Sequence, residues 1–301
     1  MTTDPILTEG QLDLAGTVIG KGTSVQIREI TGLGRPPVRD NDADQPSLDG
    51  AWPGPDYYAT RAVQIDAAIR TPGNRATALD LLATLQQPAH TAAVRLTSGA
   101  TQALRVAWPG RPVKRLNGRL RRLEPNMDKS LFGFIPLDIE FAGTDPLWYA
   151  DTESTVEIPL GWLTGGGFTA PVTAPIYVQN GTTAADRPGW ATNTGTTDTW
   201  PIIRITGPCA QVTITHVPTG RTLQLPTLNL LAGQWIEIDT RPGYRTVVHE
   251  TGGNALSLLS PASRIDQFSL PPGTSEFRWT AFDATNSARL RLTWRDAYTA
   301  L

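Results

Sequence analysis

Four aspartates, Asp40, Asp42, Asp44 and Asp49, stand close together between Arg39 and Trp52. Alternating carboxylates in a loop are the raw material of a calcium site. An EF-hand register also needs Gly at its sixth position and Glu at its twelfth, and Gln45 and Ala51 stand there instead. The stretch therefore reads as a solvated, proline-flanked acidic loop. Glu237 and Asp239 lie two residues apart on one strand face, as glycosidase carboxylates can, but so do the residues of any solvent-facing strand, and nothing beside them marks one as the proton donor. Cys209 has His216 and His249 as possible bases, yet directly after Gly207-Pro208 it reads as a half-buried structural thiol. No serine sits in a Gly-x-Ser-x-Gly setting, and Gly165-Gly166-Gly167 lacks the Lys and Ser/Thr of a phosphate-binding loop. His90, His216 and His249 have no zinc-ligand spacing, and the single cysteine rules out an internal disulfide. No catalytic residue, cofactor or metal is expected. Asn180-Gly181-Thr182 is formally a glycosylation sequon, but Met1-Thr2-Thr3-Asp4-Pro5 lacks the basic and apolar pattern of a secretory leader, so no modification is expected there.

A different pattern concerns charge. Between Asp80 and Glu124 there is no acid, while Arg95, Arg105, Arg111, Lys114, Arg115, Arg119, Arg121 and Arg122 follow one another. Such a block suits either a solvated hairpin or the complementary surface of a neighbouring subunit. On the second reading the candidate contacts are Asp40, Asp42 and Asp44 on one side and Arg111, Lys114, Arg115, Arg119 and Arg121 on the other. Overall, 26 basic and 28 acidic residues leave a net charge of −2, which disfavours dedicated nucleic-acid binding. The absence of a run of about 18 apolar residues argues against membrane insertion, so a soluble protein is expected.

The elements that must carry these residues are mostly strands. The 301 residues, with 28 Gly, 25 Pro and 40 Thr, have a turn-rich, strand-favouring composition. Strict alternation from Tyr57 to Ile69, with Arg61 the one polar intruder on the apolar face, predicts a half-buried strand. The same period marks Val25 and Ile27, then Ala92 to Leu96, Gln102 to Trp108, and Leu131 to Phe141. Ser98-Gly99 and Asn117-Gly118 read as hairpin turns. One helix is predicted over Asn74–Gln87, stopped by Pro88, with Leu79, Leu82 and Leu85 turned towards a sheet. Residues 151–200 lose the alternation and read as crossover and loops. Short strands resume at Ile202, Val212, Leu223, Trp235, Tyr244, Phe277 and Ala288, a spacing that indicates a β-sandwich or jelly roll. The fold class expected from the residues is a mainly β protein of two parts.

Several stretches in order resemble the distal tail protein family of long-tailed, non-contractile bacteriophages. They are Gly20-Lys21-Gly22-Thr23, Gly32-Leu33-Gly34, Leu48-Asp49-Gly50, the Tyr58–Ile69 strand, the Leu79–Leu85 helix, and Ile139-Glu140-Phe141-Ala142-Gly143-Thr144-Asp145-Pro146-Leu147-Trp148-Tyr149. The second half adds Asn193-Thr194-Gly195, Trp200 to Gly207, Leu231 to Thr240, and Leu270-Pro271-Pro272-Gly273-Thr274. The resemblance implies an N-terminal belt domain over 1–150 with a covering helix, and an outward galectin-like β-sandwich over 151–301. It implies a homo-oligomeric hexamer ring at the distal tip of the virion tail, made in the host cytoplasm. The ring would join the tail tube protein to a hub, tail-associated lysin or fibre protein, with the tape measure as a further contact. Sugar binding is not carried over, because His216-Val217-Pro218 lacks the His-x-Asn-Pro-x-Arg pattern. The alternative function is a carbohydrate-binding module or glycosidase on a β-sandwich.

Overall fold

The computed structural model describes residues 4–128, 130–160 and 188–301. Gly165-Gly166-Gly167 and the Asn180 sequon lie outside them. The chain divides into two compact units, Met1–Asp151 with Ala297–Leu301, and Thr152–Asp296. The chain's last five residues thus return to the first unit, where an unbroken second half had been expected.

The first unit contains β1 (Gln11–Leu14), β2 (Thr17–Gly20), β3 (Val25–Thr31), β4 (Val38–Arg39), β5 (Ala43–Asp44), β6 (Ala51–Trp52), β7 (Tyr57–Tyr58) and β8 (Arg61–Arg70). It continues with α1 (Arg75–His90), α2 (Ala92–Arg95), β9 (Gln102–Ala107), β10 (Lys114–Pro125), β11 (Phe134–Gly143) and β12 (Trp148–Ala150). The main sheet runs β2-β1-β9-β10-β11-β8-β3, and β12 pairs with β10. Every pairing in it is antiparallel. The inward residues of β8 (Val63, Ile65, Ala67, Ile69) and β11 (Ile135, Leu137, Ile139, Phe141) form one core with Leu104, Val106 and Leu116. Helix α1 starts at Asn74, whose side chain accepts from the Thr77 N–H, and it lays Ala78, Leu82 and Leu85 on that core. It runs through Pro88 to His90, past the expected stop.

Three local expectations are corrected here. Ala92 to Leu96 forms a single exposed helical turn, α2, and not a strand. Asn117-Gly118 is no turn but lies inside the long β10, where Gly118 pairs with Gly143. A Cβ on Gly118 would meet the Ala142 carbonyl at 2.1 Å, so glycine is there for close strand approach. The strand foreseen from Tyr57 begins only at Arg61, because Tyr57-Tyr58 belongs to a separate two-strand ladder.

The second unit holds β13 (Ser154–Pro159), β14 (Trp190–Asn193), β15 (Ile202–Thr206), β16 (Cys209–His216), β17 (Arg221–Leu230), β18 (Trp235–Asp239), β19 (Thr246–His249), β20 (Gly273–Phe282) and β21 (Arg289–Trp294). Two sheets, β13-β21-β15-β18-β19 and β14-β20-β16-β17, share one apolar core that includes Ile203, Ile236, Leu290, Ile214, Leu223, Phe277 and Trp279. This is the expected mainly β second part. Strands β13 and β14 occupy the two ends of the stretch read as loops. Finally β22 (Ala297–Tyr298) pairs with β12 and so belongs to the first unit.

Candidate assembly interface

The acidic residues sit on a projecting arm. Strands β4 and β7 pair with each other, as do β5 and β6, and neither ladder joins the main sheet. The tip is closed by the Gln45 N–H bonding the Gly50 carbonyl at 3.1 Å. Lower down, Asp42 Oδ1 accepts from the Gly54 N–H at 2.9 Å and Asn41 donates to the Pro55 carbonyl at 3.1 Å. Asp40, Asp42 and Asp44 are all exposed, and the arm carries aromatic surface beside them, with Trp52 64% and Tyr57 52% exposed. Arg39 lies over the Tyr57 ring and Arg35 over that of Tyr58.

The basic block is less uniform than its sequence suggests. Lys114 is buried, with Nζ 3.8 Å from the centre of the Tyr298 ring and 3.2 Å from the Ala300 carbonyl. Burial, aided by the nearby Arg111 charge, lowers its pKa. Arg115 pairs with Asp151 at 2.8 Å and with Asp4 at 2.9 Å. Arg119 donates to the Ala100 and Thr97 carbonyls, both at 2.8 Å. Arg111 and Arg121 are exposed; Arg121 lies on the outward face of β10, unpaired at the bulge between Leu120 and Arg122. Of the five basic candidates, then, Lys114, Arg115 and Arg119 spend their charge within the same unit.

Asp151 is the hinge of a second network that the sequence did not reveal. Arg105, buried, grips both its carboxylate oxygens at 2.9 and 2.6 Å and also reaches Asp13 at 3.1 Å and the Pro5 carbonyl at 2.8 Å. Burial raises the Asp151 carboxyl, and the bonds from Arg105 and Arg115 more than offset that, holding it below the ordinary carboxylate range. The hydrogen bond to Asp151 conversely raises Arg105. Arg61 was the polar intruder on an apolar strand face. It is 1% exposed and donates to the carbonyls of Pro146, Gly32, Gly34 and Thr299. An arginine at an inward position was the signal for this.

The residues weighed for chemistry are tied up. Glu237 is held by Arg204 at 2.7 Å, and Asp239 by Arg241 at 2.7 Å. Cys209 is buried, and desolvation with the nearby Asp283 charge pushes its thiol up to about 11, far from a nucleophile's range. His216 is buried, stacked on Phe277 at 4.7 Å, with Nδ1 2.8 Å from Thr219 Oγ1. Among the described residues no group of His, Cys, Asp and Glu could hold a metal ion.

Residues 194–298 match the family model of the siphovirus-type tail component, C-terminal domain. The resemblance to the distal tail proteins is borne out. In fold the likeness extends over nearly the whole chain. The crystal structure of phage SPP1 Dit, presented as a paradigm of the hub adsorption apparatus in phages infecting Gram-positive bacteria, matches with a TM-score of 0.60 at 14% identity, covering 95% of this chain and 98% of that one. A chain of the phage P2 baseplate in its calcium-activated conformation matches at 0.54 and 13%, covering 94% and 97%. The strontium form of that baseplate matches at 0.51 and 13%, covering 94% and 96%. No curated protein matches.

Proposed function

We propose that this chain is a structural distal tail protein. Six copies close into a ring through their first units and join the tail tube to the hub or fibre proteins at the distal tip of the virion. The role is one of assembly and not of catalysis. The observation that carries the reading is the fold match to SPP1 Dit over 95% of this chain, together with the tail-component match over residues 194–298. The tied-up carboxylates and the buried thiol support a non-enzymatic role. Closed rings need one heterologous interface repeated around an axis, and the first unit offers the separate acidic and basic surfaces for it.

The test is native mass spectrometry and negative-stain electron microscopy of the full chain. A closed six-copy ring is expected. A chain that stays monomeric at high micromolar concentration would overturn the reading.

A further inference from the structure

Resting on that ring reading, we propose that the arm of residues 35–60 is the element one copy inserts into the next, and that its receptor is the exposed corner formed by Arg95, Leu96 and Arg121.

The arm is built to reach away from its own unit. Its strands pair only with one another, and from Val38 to Ser47 an extended chain spans up to about 30 Å at ~3.3 Å per residue. Between Arg35 and Tyr58 it carries five aspartates against two arginines. Trp52 stands 64% exposed among them, and an exposed tryptophan beside charges that need a counterpart is what a protein contact surface looks like before it is covered.

The corner is its complement. Leu96 is 72% exposed and next to the exposed Arg95, on a stretch of chain with no acid from Leu81 to Leu123. The loop behind Leu96 is held in shape by Arg119, which binds both the Thr97 and Ala100 carbonyls, and Arg121, two residues further along the same outward face of β10, adds a further exposed guanidinium. Apolar side chain and positive charge here match aromatic side chain and negative charge on the arm, so the fitting occupant is a second copy of this chain.

Strand register sets the two surfaces apart. Gln102, Gly118, Gly143 and Arg61 are successive partners across β9, β10, β11 and β8. The arm leads into Arg61 at one end of this row, and the Leu96 loop leads into Gln102 at the other, three strand spacings of ~4.8 Å away. A projecting element on one side and its receptor on the other make a head-to-tail interface, the kind that closes into rings.

Charge reversal in the full chain tests this. One variant carries Asp40→Lys with Asp44→Lys, which leaves Asp42 bonded to Gly54; the other carries Arg95→Glu with Arg121→Glu. All four positions are exposed, and unchanged circular dichroism should confirm folding. Each variant alone should self-associate at least ~10-fold more weakly than wild type, because like charges then face each other. An equimolar mixture should assemble again, with the two variants alternating and only even copy numbers in native mass spectra. If the wild type assembles and both variants do so equally well, or if the mixture fails to rescue, the arm is not the clasp although the ring reading stands. A wild type that never assembles would overturn both.

Discussion

The Arg61 guanidinium donates a 2.7 Å hydrogen bond to the carbonyl of Thr299, 238 residues further along the chain. Among the described residues Arg61 donates to four backbone carbonyls and lies over the Trp148 ring, and burial lowers its pKa without discharging it. The end of the chain is thus fastened to the first unit by a buried cation. Leu301 adds a backbone bond to Leu33 at 3.2 Å, and Lys114 bonds Ala300.

Replacing Arg61 with Met keeps much of the volume and removes every donor. Buried carbonyls left without partners cost about 1–3 kcal/mol each before relaxation, so a net loss of about 3–5 kcal/mol is expected for the first unit. Deleting Ala297–Leu301 should act in the same direction. Urea unfolding of the two variants should show midpoints clearly below wild type, and coincident curves would mean that the tail contacts contribute nothing.

Leu82 is buried under α1 with Leu85 and Ala78. Truncation to Ala should cost about 2–5 kcal/mol. A thermal midpoint within a degree of wild type would show that the helix does not pack on the sheet.

His216 makes the second unit sensitive to acid. Burial first, then the nearby Arg221 charge, lowers its pKa, with Asp198 opposing. Folding therefore favours the neutral ring, and the unfolded chain takes up the proton first as pH falls below about 6.5. Stability that is fully present above that pH should decline below it, by at most ~1.4 kcal/mol per pH unit, until the folded state is protonated too. His216→Phe should flatten this slope between pH 6.5 and 5, as read from the unfolding of the second unit at each pH. An unchanged slope would assign the effect elsewhere.

Asp151 acts with the opposite charge and in a lower window. Its folded pKa lies below the unfolded value near 3.9, so its contribution is intact above about pH 4 and disappears as pH falls through the folded pKa. Asp151→Asn leaves Arg105 and Arg115 without that carboxylate and should cost about 2–3 kcal/mol at neutral pH, discounted for partial exposure. The variant should lose less stability than wild type between pH 4 and 2. Parallel pH profiles of the two proteins would contradict the clamp.

Period-2 alternation over seven or more residues foretold β8, β9, β11 and β21, because on a strand with one buried face that pattern has a single arrangement that buries it. Shorter signals misled. Ala92, Val94 and Leu96 alternate over only five positions, too few to separate a strand from one helical turn. Asn117-Gly118 has the composition of a turn, yet serves the close approach of β10 to β11. The acidic and basic blocks were legible as charge, but whether each guanidinium is free was not. Lys114, Arg115 and Arg119 are satisfied by groups 19 to 186 residues away, while Arg121 on the same strand is exposed.

By itself the sequence determined the class of the protein: mainly β, in two parts, with its acidic and basic residues in separate blocks. Those properties follow from composition and short-range periodicity, which act on neighbours along the chain. Only the tertiary structure decided that β22 completes the first unit, which groups Arg61 and Arg105 bind within it, and that the acidic block stands on an arm outside the main sheet. Each of these depends on which distant backbone comes to lie opposite a given side chain. That is settled by packing and by the need to satisfy every buried polar group, and no local pattern encodes it.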